Sequence, residues 1–238
     1  MDLKLIYRLI IQQKAAVFLN IFCLSIAFAV LYVVLKQAAY DFSFDRCYPK
    51  GEDIYQLGYW NQVSGTHEVT IAYPVIQQTL DLIPEVEAYT ILLCDGAKYT
   101  TFYYQDQKFS KVAYMGVSPG YMQVFQPRIV AGDVKEAFRS QDGLIIPSSL
   151  SRVWFGDDDP INQRVGFGAA TNQWTVKAVY QDFPENSSMV NGVLYCLPED
   201  KDWTEWSYLC FLRAYPGIEG KCLEEKIERM TDTVFGEG

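Results

Sequence analysis

Few residues in this chain have the types and spacing that chemistry requires. Gly116-Val117-Ser118-Pro119-Gly120 matches the GxSxG pattern of a nucleophile elbow. In that order of residues the histidine base follows the serine, whereas the single histidine, His67, precedes it. Pro119 also removes the backbone N–H that an oxyanion hole would use directly after the nucleophile. The stretch therefore reads as a turn opening a short helix. Asp157-Asp158-Asp159-Pro160 is acidic but lacks the spaced ligands of a calcium loop, so it reads as a solvated turn fixed by Pro160. Six cysteines, at positions 23, 47, 94, 196, 210 and 222, contain no CxxC pair, which argues against zinc. They read mostly as free buried thiols, with a bridge among Cys196, Cys210 and Cys222 as the alternative. The Gly220-Lys221 pair lacks the upstream glycine of a phosphate-binding loop. No catalytic, cofactor or metal residue is assigned, and the chain is expected not to be an enzyme.

What remains is a question of elements rather than reactive groups. The 238 residues are 50% hydrophobic and carry a net charge of −9, which is enough apolar surface for a folded core. Acids outnumber bases 29 to 20, so a phosphate-neutralising nucleic-acid surface is not expected. The charge is uneven: residues 1–39 are net +3, which leaves −12 for the other 199.

Residues 15–35, from Ala15 at one end to Leu35 at the other, include no charge. As a helix they would span roughly 31 Å, the thickness of a bilayer's hydrocarbon core. The run exceeds the apolar region of a signal peptide, and Gln37-Ala38-Ala39 is a poor cleavage site. It reads as a retained transmembrane helix. Lys4, Arg8 and Lys14 precede it, so the positive-inside rule places the N-terminus in the cytoplasm and residues 40–238 outside. Leu3, Ile6, Tyr7, Ile10 and Ile11 share one helical face, and residues 1–14 read as an amphipathic cytoplasmic segment on the membrane surface.

The exterior part alternates short strand and helix patterns. Strands are expected over 53–60, 67–73, 86–93, 143–147, 174–180, 192–197 and 206–215, with a hairpin of 98–104 and 108–115 around a polar turn. Helices are expected over 74–84 with Pro74 at the first position, over 119–125, up to Trp154 with Ser148 or Ser149 as cap and Gly156 as stop, and over 217–235. The fold class is α+β (mixed α/β), one N-terminal transmembrane helix followed by a domain in two lobes.

These stretches resemble, in order, the sequence of MacB-like (FtsX-like) ABC transporter permeases, particularly those of Bacteroidetes. Phe44, Asp45, Arg46, Tyr48, Ile54 and Tyr55 match the "YDxFHxxADRIYRV" signature that follows the first transmembrane helix. Residues 74–88 and 112–133 are similar to the next two family stretches. Phe155, Gly156, Asp159 and Pro160 match "F-G-x-x-D-P-I-G", and Pro184, Asn186 and Ser187 match "D-x-P-x-N-S". Cys47, Ser148 and Asn162 depart from the pattern. The resemblance implies a MacB-like periplasmic core domain in the inner membrane of a bacterium. It also implies a separate cytoplasmic ABC ATPase, a homo- or heterodimer with another permease, and a periplasmic partner. The function expected is to couple ATP-driven motion to export of peptides, drugs or lipoproteins, or to regulation of an envelope partner. Permeases of this family carry further spans, so the chain reads as a truncated permease or a remnant of one. The alternative is a single-pass membrane-anchored ectodomain that binds a ligand or partner. Residues 40–55, aromatic and without glycine before Gly51, are expected to form a rigid junction.

Overall fold

The computed structural model describes residues 14–61, 64–93 and 98–236. Nearly all of the amphipathic segment expected over 1–14, and Cys94, lie outside them. The chain divides into two compact units, residues up to Asp45 and Arg46–Gly238.

The first unit is helix α1 (Lys14–Phe42), 29 residues long, or about 43 Å at 1.5 Å per residue. None of its residues is buried, and Phe18, Phe22, Phe28 and Tyr32 are all more than half exposed. Such a helix has no protein core to serve; its length and composition suit a bilayer crossing. The Ser25 hydroxyl donates to the Ile21 carbonyl at 2.7 Å, so this polar group is satisfied within its own helix.

The second unit is built on one large mixed sheet. Its strands are β1 (Ile54–Gln56), β4 (Val86–Leu93), β5 (Lys98–Tyr104), β6 (Gln107–Val117), β7 (Ile129–Gly132), β8 (Gly143–Pro147), β9 (Arg164–Phe167), β10 (Gln173–Tyr180), β11 (Val193–Cys196) and β12 (Tyr208–Ala214). The order runs β1-β12-β4-β6-β11-β8-β10-β9-β5, and β5 returns to pair with β6, so the last six strands close a ring. Strand β7 lies beside β10. A separate hairpin joins β2 (Tyr59–Asn61) to β3 (Thr66–Glu68).

Alternation along the strands sorts side chains into three apolar clusters. In β8, Leu144 and Ile146 face the ring interior with Phe102, Val176 and Trp154, while Ile145 faces a second cluster with Val117, Tyr121 and Tyr180. A strand buried on both faces reads as the continuous apolar run GLIIP. In β12, Tyr208, Cys210, Leu212 and Ala214 face the first cluster. That cluster is covered by helices α2 (Tyr73–Leu80) and α6 (Gly220–Gly236), the latter through Leu223. The three shorter helices are α3 (Tyr121–Val124), α4 (Val134–Arg139) and α5 (Ser148–Phe155). The two lobes expected are thus regions of one continuous sheet.

Several expectations are modified. The strand expected over 53–60 is two strands: the Leu57 N–H makes the last bond to β12, at the Cys210 carbonyl (2.9 Å), and Gly58 then packs tightly against the β3 hairpin arm. A Cβ there would lie 2.5 Å from His67 Cε1 and 2.9 Å from the Glu68 carbonyl. The helix expected up to Pro84 ends at Leu80. Helix α5 is not capped by its serines. The Ser148 hydroxyl donates to the Tyr180 carbonyl at 2.9 Å, and the Ser149 N–H donates to Asp182 Oδ1 at 3.0 Å, so a distant carboxylate supplies the cap. Gly156 does close that helix, with φ of 62°. Strands β7 and β9 and helix α4 were not anticipated.

Candidate functional site

The residues singled out for chemistry have structural duties. Ser118 is buried, and its Oγ accepts the Ile91 N–H at 3.0 Å and lies 3.3 Å from Thr90 Oγ1, tying β6 to β4. Asp159 Oδ1 accepts the Ile161 N–H at 3.0 Å, which makes the Asp-Pro stretch a turn. His67 is exposed on β3. Cys196, Cys210 and Cys222 form no disulfide, which removes the bridge considered among them. Cys210 is completely buried, and burial raises its thiol pKa.

The residues matching the family pattern gather more meaningfully at the start of the second unit. Tyr48 is buried, with its ring edge-on to Phe125 at 5.2 Å and to Phe183 at 5.3 Å. Its hydroxyl shares a hydrogen bond with Ser187 Oγ and accepts the Met189 N–H at 3.2 Å. Thus the first and last matching stretches, 139 residues apart in sequence, meet. The receiving loop is itself closed: Asn191 accepts the Phe183 N–H and donates to the Phe183 carbonyl, both at 2.7 Å. Below it Tyr180 is buried. Its hydroxyl donates to the Gly192 carbonyl at 2.9 Å and accepts the Gly192 N–H at 3.0 Å. Burial pushes the Tyr180 phenol above its ordinary pKa.

A second tether adjoins the first. Arg213 is 1% exposed, the largest fully buried side chain among the described residues. Alternation in β12 turns it away from the first cluster, onto the side of Leu209 and Phe211. Its Nη2 donates to the Pro49 carbonyl at 3.0 Å and to the Val124 carbonyl; its Nε has no partner. A buried guanidinium is stable only where oxygen atoms replace its water, and here two main-chain carbonyls do so. One belongs to the residue after Tyr48. The chain is therefore gripped at 48 and 49, before β1 adds to the sheet edge through Ile54 and Tyr55 opposite Arg213 and Leu212. Ile54 packs on the second cluster and Tyr55 on the first.

The other matching positions lie elsewhere. Phe44 is exposed and Asp45 has φ of 58°, both in the first unit; Arg46 is exposed. Phe155 is buried at the ring with Tyr104 at 4.6 Å, next to Gly156, Asp159 and Pro160. Pro184 is exposed and Asn186 half-buried in the receiving loop. Arg213, Phe125 and Met189 are the contributors that sequence reasoning missed. Arg213 had a signal, as the one charge in the apolar run YLCFLRA.

The sequence profile of the MacB-like periplasmic core domain matches residues 15–228. The chain belongs to this family, the class of domain carried by ABC transporter permeases. No curated protein matches it. Among solved structures, a permease-protein domain from Porphyromonas gingivalis has a TM-score of 0.66 at 21% identity, over 78% of this chain and 86% of that one. The periplasmic region of MacB from Actinobacillus actinomycetemcomitans has a TM-score of 0.55 at 12% identity, over 77% and 83%. The extracellular domain of the noncanonic ABC-type transporter YknZ from Gram-positive bacteria has a TM-score of 0.53 at 13% identity, over 77% and 93%. These likenesses carry the fold.

Proposed function

We propose that this chain is the membrane-anchored part of an ABC transporter permease and acts by transmitting displacement, with no chemistry of its own. Helix α1 crosses the inner membrane with its N-terminus in the cytoplasm, and the domain from about residue 40 onward is periplasmic. A separate ATPase drives α1, in a dimer with another permease. The cargo class is peptides, drugs or lipoproteins, or the motion regulates an envelope partner. The observation that carries this reading is the double tether at the start of the domain, Tyr48 on the 183–191 loop and Arg213 on the Pro49 carbonyl. A pull on residue 46 is thereby delivered to β12 and to the second cluster rather than lost in a slack loop. The test uses a full-length relative with its ATPase. A flexible Gly/Ser insertion at the position of Ala39 should abolish transport while ATPase binding persists; unchanged transport refutes the reading.

A further inference from the structure

Beyond residue 39 the chain is strongly acidic, at net −12, yet one cleft of the second unit is walled by cations. The cleft has a volume of about 470 Å³, the size of a small-ligand site, and lies where two parallel strands end. Strands β8 and β10 run parallel with Pro147 beside Tyr180, so the residues following each strand emerge side by side. Ser148 and Ser149 open helix α5 on one wall, and Gln181 and Asp182 form another. Crevices beyond the carboxyl ends of parallel strands are where open α/β sheets place ligands. Arg128, just before β7, closes a third side; its carbonyl accepts the Gln181 N–H at 2.8 Å.

Helical periodicity brings Arg152 to the same cleft. Leu150, Trp154 and Phe155 fix one side of α5 in the ring cluster. Ser148 and Arg152, at i and i+4, turn the other side to the cleft. Among the described residues neither guanidinium has a carboxylate partner: the ion pairs of this unit join Lys177 to Glu136 and Lys226 to Glu85. Arg128 Nη1 donates to Gln181 Oε1 at a long 3.4 Å. The one acid on the wall, Asp182, uses Oδ1 to accept the Ser149 N–H at 3.0 Å. The end of α5 is thereby capped already, and the two arginines remain as uncompensated charge. Val130, 51% exposed, adds an apolar patch to the wall.

This wall selects among anions. One guanidinium fork satisfies a carboxylate, whereas a phosphate ester has oxygen atoms and charge for two. We propose that the cleft binds a phosphate monoester, held between Arg128 and Arg152, with Val130 against the group that the phosphate esterifies. The phosphate belongs to a soluble ester or to a lipid headgroup. This stands independently of the coupling role of α1.

The test is calorimetric titration of the full chain in a maltoside detergent, which carries no phosphate. Glycerol 3-phosphate should bind saturably with a Kd of about 0.1–1 mM at about 50 mM salt, and acetate about tenfold more weakly or worse. Arg128→Gln and Arg152→Gln should each weaken binding about 5- to 10-fold, the loss of one charge-assisted contact at an open site. Arg152→Lys keeps the charge without the fork and should recover part of that loss. Asp182→Asn keeps an oxygen for the Ser149 N–H and removes a like charge, so it should tighten binding roughly two- to fivefold. Both arginines are exposed, and an unchanged melting temperature verifies the fold of each variant. Dibutyryl phosphatidic acid separates the two sources. Affinity above that of glycerol 3-phosphate supports the proposal with a lipid headgroup as ligand; equal or lower affinity supports it with a soluble ester. No saturable binding of either phosphate ester, acetate binding as tightly as phosphate, or affinity unchanged in both arginine variants overturns the proposal. So does weaker binding by Asp182→Asn at an unchanged melting temperature.

Discussion

Replacing Arg213 with methionine tests the tether most sharply, because it keeps the stem and removes the guanidinium. Two hydrogen bonds are lost. The Val124 carbonyl lies in a fully buried residue and stays without a donor, at a cost of about 1.5–3 kcal/mol for a bond to a charged group. The Pro49 carbonyl belongs to an exposed residue and regains water, so its loss contributes about 1 kcal/mol. Relief from burying a charge whose Nε has no partner offsets part of this. The net expectation is a destabilisation of about 2–3 kcal/mol, or a melting temperature lower by roughly 4–12 °C for a domain of this size. The assay is thermal unfolding of the full chain in detergent, followed by near-ultraviolet circular dichroism, with amide exchange read at residues 48–53. Protection there should fall more than in β9, whose buried Val165 belongs to the third cluster and not to the one that holds Tyr48. A melting temperature within about 1 °C of wild type, or uniform exchange changes, would refute the reasoning.

Tyr48→Phe keeps the ring against Phe125 and Phe183 but leaves the Met189 N–H short of one acceptor. It should cost about 1–2 kcal/mol in the same unfolding assay and speed exchange at Met189. Stability should fall at both pH extremes. The Lys226 ammonium, bonded to the Glu85 carboxylate, lowers the Glu85 pKa, so the unfolded chain binds the proton more readily. That contribution is present above the ordinary carboxylate value and lost as pH falls through the lowered one; Glu85→Gln should flatten the acid limb of a melting-temperature profile. Burial raises the phenols of Tyr121 and Tyr180 above 10.0, so their contribution is complete below pH 10.0 and declines as pH rises beyond it. Thiol labelling should modify exposed Cys222 in the native chain and reach Cys210 only on unfolding; prompt native labelling of Cys210 would contradict its burial.

Local signals made much of this fold legible. Pro74 marked the start of α2 to within one residue, the β-branched and aromatic run of 86–93 coincides with β4, and GLIIP read as a buried strand. Strands β7 and β9 escaped because each is four residues with a glycine, and long β10 holds both in place. The ring was invisible for the same reason: it is closed by Phe102 and Tyr103 pairing with Phe167 and Gly166. At the tether, Tyr48 and Ser187 were each picked out by resemblance, but nothing local says that they touch. Arg213 alternates in a strand and would be assigned to solvent. It is buried because the returning chain at Pro49 and helix α3 cover that face of β12.

Mechanical pulling addresses the central claim most directly. With handles at residue 40 and at the end of α6, force is applied to the full chain in a nanodisc. The account predicts that wild type shows no extension before the domain ruptures as a unit, whereas Arg213→Met combined with Tyr48→Phe releases residues 46–53 first, an early step of about 3 nm at 3.3–3.6 Å per residue. An early step of that size in the wild type at equally low force would show that the first residues of the domain are not tethered, and would contradict the account.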